Sequence, residues 1–144
     1  MVKFPLYFEV EADAGPGIGK TWTAKAHDFP PIENAIPPEF GGPGKAYSPE
    51  DLFGLSVLSC IIATFKVYAE HANIQFESLK AKASVSMGKD PAENYVAINT
   101  IDITIDIKGA NDKDKTRATL EKAIKECSIS NSIKSGKTFH LNVS

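Results

Sequence analysis

From Leu52 to Phe65 the chain carries a 14-residue apolar run interrupted only by Gly54, Ser56, Ser59 and Thr64. A helix start stands directly before it. Ser48 is placed to cap, Pro49 suits the first helical position, and Glu50 and Asp51 put acidic charge in the first turn. The pattern predicts a helix from Ser48 to about Ala72, amphipathic from Lys66 onward with Glu70 and His71 facing outward. Between Leu52 and Phe65 that helix is apolar on nearly all sides, and such a helix has to be buried all round. A 144-residue chain has little to cover it with, so a homodimer is expected. With its small and polar interruptions, the run itself is too short and too polar for a membrane span.

The remaining segments read as short strands and one more helix. Residues 4 to 12 and Lys20 to Asp28 are predicted strands, joined as a hairpin by the turn Asp13 to Gly19. Phe29 to Tyr47 holds five prolines and three glycines, which predicts an irregular crossing loop, since proline fixes φ and lacks a donor. Leu79, Ala81, Ala83, Val85 and Met87 alternate with polar residues as a strand does. Tyr95 to Lys108 places Ile101, Ile103, Ile105 and Ile107 on one face, and Asp102, Thr104, Asp106 and Lys108 on the other. Asp112 to Cys127 is a predicted helix whose apolar stripe is Leu120, Ala123, Ile124 and Cys127. Gly136 to Ser144 reads as a last strand. The expected fold is α+β in the order ββαββαβ, with two core helices against antiparallel sheet, in one domain spanning residues 1–144.

Charge and cysteine content narrow the function. A net charge of −2 and scattered lysines leave no basic footprint for nucleic acid. The opening residues show no apolar signal-like stretch, so a cytoplasmic, reducing setting is expected. Two cysteines in that setting are more often catalytic or free than structural. They cannot build a metal site by themselves, and His27, His71 and His140 fall on three different elements, so neither metal nor cofactor is expected. Ala14-Gly15-Pro16-Gly17-Ile18-Gly19-Lys20-Thr21 resembles a phosphate-binding loop in its Gly-Lys-Thr ending. Such a loop needs a helix starting at Lys-Thr, yet Trp22 to His27 is strand-like, so a hairpin turn is the expected reading. Cys60 lies about 11 residues into its helix, too deep for the helix N-terminus to lower its pKa much. Apolar burial alone makes it an inert thiol, and a reactive Cys60 calls for a cation brought from elsewhere.

Several residues together resemble the OsmC/Ohr family of osmotically induced and organic-hydroperoxide-resistance proteins. They are Asp28-Phe29-Pro30, Gly41-Gly42, Ser48-Pro49-Glu50-Asp51-Leu52-Phe53, Ser59-Cys60 ten residues after the glutamate, and Glu126-Cys127-Ser128-Ile129-Ser130. The family's common Cys-Pro after the second helix is Cys127-Ser128 here. The resemblance implies an intertwined homodimer that reduces organic hydroperoxides through thiols. On that reading the Cys60 thiolate attacks the peroxide, Cys127 resolves the sulfenic acid to a disulfide, and an external dithiol reductant restores both thiols. Glu50 then orients the cation that stabilises the Cys60 thiolate. Ten helical residues span about 15 Å, so Glu50 and Cys60 of one helix cannot touch; sharing a site takes a second subunit or a bridging cation.

One departure bears on activity. The family's peroxidases carry an arginine in the N-terminal hairpin region, whereas Arg117, in the second helix, is the one arginine of this chain. Lys20 and Lys45 are the candidate substitutes, supplying charge without the planar fork. The alternative is therefore an OsmC-like protein that binds a small apolar ligand or senses redox state without peroxidase activity.

Overall fold

The computed structural model describes residues 1–144. It consists of two compact units, Met1–Leu52 and Phe53–Ser144. The N-terminal unit holds a three-stranded antiparallel sheet of β1 (Val10–Asp13), β2 (Trp22–Ala26) and β3 (Ile32–Asn34), in that order. Pairing begins only at Val10, opposite Ala26. Beyond Ala26 the chain turns, with Phe29 N–H bonded to the Ala26 carbonyl, so nothing remains for residues 4–9 to pair with. The predicted first strand is shortened accordingly, and Phe4, Leu6 and Phe8 stay exposed. Ile32–Asn34 forms a strand inside the proline-rich loop because the prolines stop at Pro31 and resume at Pro37, leaving free donors between them. Gly42 lies so close to the Ile36 carbonyl that a Cβ there would sit 2.0 Å from the oxygen.

Helix α1 runs from Pro49 to His71. The backbone N–H of Ser48 donates to Asp51 Oδ2 (2.9 Å), and that of Asp51 donates to Ser48 Oγ (3.1 Å). This reciprocal pair satisfies donors that the first turn otherwise leaves free. With 23 residues, α1 is long and apolar enough to cross a membrane. It serves instead as a core helix: Gly54, Val57, Ile61, Phe65 and Ala69 are buried along one stripe. The expectation of burial all round is not met within one chain, where Leu55 and Val67 are about half exposed.

In the C-terminal unit β4 (Ser78–Lys89), β5 (Val96–Lys108) and β6 (Gly136–Val143) form the second sheet. Ile101, Ile103, Ile105 and Ile107 are essentially inaccessible and join α1 and the second helix in one core cluster. Helix α2 (Lys113–Glu126) starts at Asp112, whose side chain accepts the Lys115 N–H. The second sheet is mixed rather than antiparallel, because β5 and β6 pair in parallel. The α2 crossover returns the chain to the end of the sheet where β5 began, and a parallel pair needs such a connection. A one-turn helix, α3 (Ser128–Asn131), precedes β6. The order is thus βββαββααβ, an α+β chain with two main helices and two sheets. No helix starts at Lys20; Gly17 to Lys20 is a hydrogen-bonded turn leading into β2.

Candidate active site

Two elements of the C-terminal unit bring the sulfurs together. On α1, Cys60 directly precedes the buried Ile61 and stands at the edge of the core stripe, half-buried. Cys127 lies one residue past α2, not within it. Its backbone has turned extended (φ −63°, ψ 112°), and its sulfur accepts the Ser130 N–H at 3.3 Å. Cys127 therefore caps α3, as a serine or threonine commonly does, and it is fully buried. Neither glycine nor proline marks the end of α2, so the helical periodicity runs through Cys127 in sequence while the backbone stops at Glu126.

The two thiols act on one another, and their acidities diverge. Burial pushes the Cys60 thiol up, but hydrogen bonds from Cys127, the Ile129 N–H, Ser128 and Thr64 together outweigh it and hold Cys60 below its ordinary value. Ser128 Oγ lies 3.7 Å from Cys60 Sγ. The Thr64 hydroxyl, the smallest of these influences, also donates to the Cys60 carbonyl at 2.9 Å. Cys127 is pushed up to about 11, first by burial and then by its hydrogen bond to Cys60 and the charge of Cys60; the Ser130 and Ile129 amides pull back only in part. One proton is thus shared unequally. The accessible sulfur ionises first and the buried one keeps its proton longer, an arrangement suited to a nucleophile beside a proton-holding partner.

The donors that lower Cys60 are neutral groups of this unit, Ser128, Ile129 and Thr64 among them, rather than a cation. Sequence reasoning overlooked Ser128 and Ile129 because their effect depends on the chain breaking at Cys127. Nearby, the Tyr68 hydroxyl donates to the Glu126 carboxylate, and Lys122 Nζ lies 4.6 Å from the Tyr68 ring centre. Arg117 is committed elsewhere, donating to the Leu141 carbonyl of β6 at 3.0 Å.

The other sequence candidates lie in the N-terminal unit. Glu50 is in the first turn of α1, and its Oε2 is buried without a hydrogen-bond partner. Lys20 and Lys45 are exposed, and neither pairs with Glu50. His140 pairs with Asp102 on the outer sheet face (2.8 Å), and His27 packs edge-on against Phe29. No three histidine, cysteine or carboxylate side chains converge as a metal-ligand set.

Residues 42–142 match the family model of the OsmC-like proteins. The chain belongs to the OsmC-like family. No curated protein matches it in sequence. The fold is shared with an OsmC-like protein of unknown function from Vibrio cholerae, at 14% identity and a TM-score of 0.83, over 95% of this chain and 99% of that one. It is also shared with an organic hydroperoxide resistance protein from Legionella pneumophila, at 24% identity and a TM-score of 0.73, over 99% of both chains. The organic hydroperoxide resistance protein OhrB of Bacillus subtilis matches at 18% identity with a TM-score of 0.68, over 96% of this chain and 98% of that one. For this OsmC-like chain the matched residues take in the C-terminal unit up to Asn142, with Glu50, Cys60 and Cys127 among them.

Proposed function

We propose that this OsmC-like protein is a thiol-dependent peroxidase that reduces organic hydroperoxides. The observation that carries the reading is the thiol pair: Cys60 half-buried beside Ser128 with a lowered pKa, and a fully buried Cys127 whose pKa is raised by burial and by Cys60. In the first step the Cys60 thiolate attacks the distal oxygen of the hydroperoxide. The S–O bond forms as O–O breaks, giving Cys60 sulfenic acid and an alkoxide that takes a proton from water. The Cys127 thiol then attacks the sulfenic sulfur, so that the disulfide forms and water leaves. A dithiol reductant supplies two electrons and two protons to regenerate both thiols while it becomes a disulfide itself. Glu50 orients a cation toward this chemistry, and Lys20 and Lys45 are the candidates to supply it. Residues 1–144 act as one domain in a cytoplasmic homodimer, in which the exposed flank of α1 around Leu55 is covered by the second copy.

Consumption of cumene hydroperoxide with a dithiol, for wild type and Cys60→Ser, tests the reading. Rapid turnover that vanishes in the variant is expected; equal rates in both refute it. A second reading draws on an apolar trough of about 730 Å³ in the N-terminal unit, lined by Val10, Ala24, Phe29, Ile32 and Leu52 among others. A small apolar ligand fits it, and the protein is then a binding or redox-sensing module. On that reading brief peroxide treatment leaves both thiols titratable.

A further inference from the structure

The geometry points to Ser128 as a positioning residue that holds the Cys60 thiolate with its hydroxyl. Three observations support this. Ser128 Oγ and Cys60 Sγ are 3.7 Å apart, and while Cys60 is protonated either atom can donate. Once Cys60 ionises its sulfur can only accept, so the hydroxyl becomes the donor by necessity, and a hydrogen bond to an ion is stronger than one between neutral groups. The position of Ser128 is also fixed from both sides. Its carbonyl accepts the Ser132 hydroxyl at 2.8 Å, and the Cys127 carbonyl before it accepts the Asn131 N–H at 3.0 Å, so the turn that carries Ser128 is pinned. Finally, the groups acting on the Cys60 sulfur are Cys127, the Ile129 N–H, Ser128 and Thr64, and Cys127 is the only titratable one. Of the two side-chain hydroxyls, that of Thr64 also bonds the Cys60 carbonyl and has the smaller influence on the sulfur, whereas that of Ser128 pairs with the Cys60 sulfur.

The role deepens the peroxidase reading and rests on it for its consequence in catalysis, but it can be read without any peroxide. Ser128 is exposed, so its replacement leaves the core untouched. The experiment is the pH profile of Cys60 alkylation by iodoacetamide, followed by peptide mass spectrometry, in wild type, Ser128→Ala and Ser128→Thr. Ser128→Ala is expected to move the profile to higher pH and to slow alkylation at pH 7 by about three- to ten-fold, below the full contribution of a hydrogen bond to a charged group because Ser128 is exposed and water replaces part of it. Ser128→Thr, which keeps the hydroxyl, is expected to restore the wild-type profile. An unshifted profile in Ser128→Ala, or a shift that Ser128→Thr fails to rescue, overturns the proposal. Cumene hydroperoxide consumption by the same wild-type sample separates the two claims. A shift in Ser128→Ala without wild-type turnover upholds Ser128 and removes the peroxidase. Turnover with no shift does the reverse.

Discussion

Replacing Cys127 by alanine and by serine separates two roles that this one side chain combines. Cys127→Ala removes the thiol whose influence heads the causes that lower the Cys60 pKa, acting on it as a hydrogen-bond donor does. A hydrogen bond to a charged group contributes about 1.5–3 kcal/mol. Because Cys60 is only half-buried and water can replace part of the loss, the low end applies. That is about one pKa unit, or a roughly tenfold smaller thiolate fraction at pH values well below the pKa. The same change leaves the Ser130 N–H without the acceptor it has at 3.3 Å, a lost cap that costs about 0.5–2 kcal/mol of stability. Cys127→Ser retains a donor for Cys60 and an acceptor for Ser130 but cannot form a disulfide. The assay is stopped-flow alkylation of Cys60 against pH, with dimedone trapping of the sulfenic acid after one equivalent of cumene hydroperoxide. Cys127→Ser is expected to react at close to the wild-type rate and to accumulate trapped sulfenic acid. Cys127→Ala should alkylate about tenfold more slowly near pH 7 and melt at lower temperature. Identical alkylation profiles for the two variants would refute the argument that a donor at position 127 sets the reactivity of Cys60.

Thiolate absorbance near 240 nm should report no more than one thiolate per chain until the pH approaches about 11, where Cys127 ionises; two thiolates by pH 9 would show that the pair does not share a proton unequally. The raised Cys127 pKa also has a sign for stability. Its folded form holds the proton that the unfolded chain releases, so stability should fall as pH rises from the unfolded thiol value towards 11; denaturant midpoints at pH 8 and 10 measure it, and in Cys60→Ser, which lacks the raising influence of Cys60, the fall should be smaller and end at lower pH. Ile103→Ala removes a fully buried side chain and is expected to cost about 2–5 kcal/mol in urea unfolding. Gly42→Ala drives a Cβ into the Ile36 carbonyl, an overpacking cost of about 1–3 kcal/mol that should appear as a lowered melting temperature.

The parts of the fold that were legible in the sequence are those fixed by local pattern. The isoleucines of β5 alternate without interruption and all four are buried as expected, while Ser48 and Asp51 cap α1 as the helix-start signal implies. The parts that were not legible depend on pairing between distant segments. The short β3 exists because β2 offers it partners from Trp22 to Ala24, which no periodicity of three residues reveals. The parallel entry of β6 follows from the α2 crossover and not from any residue in Gly136–Val143. At the site, the sequence supplies both cysteines but not their environment. The break at Cys127, which turns the Ile129 and Ser130 amides towards the sulfurs, lies inside an unbroken helical stripe, and only the backbone angles expose it.

The difference between the thiols follows from the fold itself. Cys127 sits in the same buried cluster as Leu120, Ala123 and Ile61, so ionising it would place a charge among apolar groups, which desolvation opposes. Cys60, at the edge of the α1 stripe, keeps contact with water and faces donors at the start of α3. A cation beside Cys60 would lower its pKa further, but the direction of proton sharing is already set without one. Which of the two sulfurs ionises first is decided by burial and by the turn at Cys127.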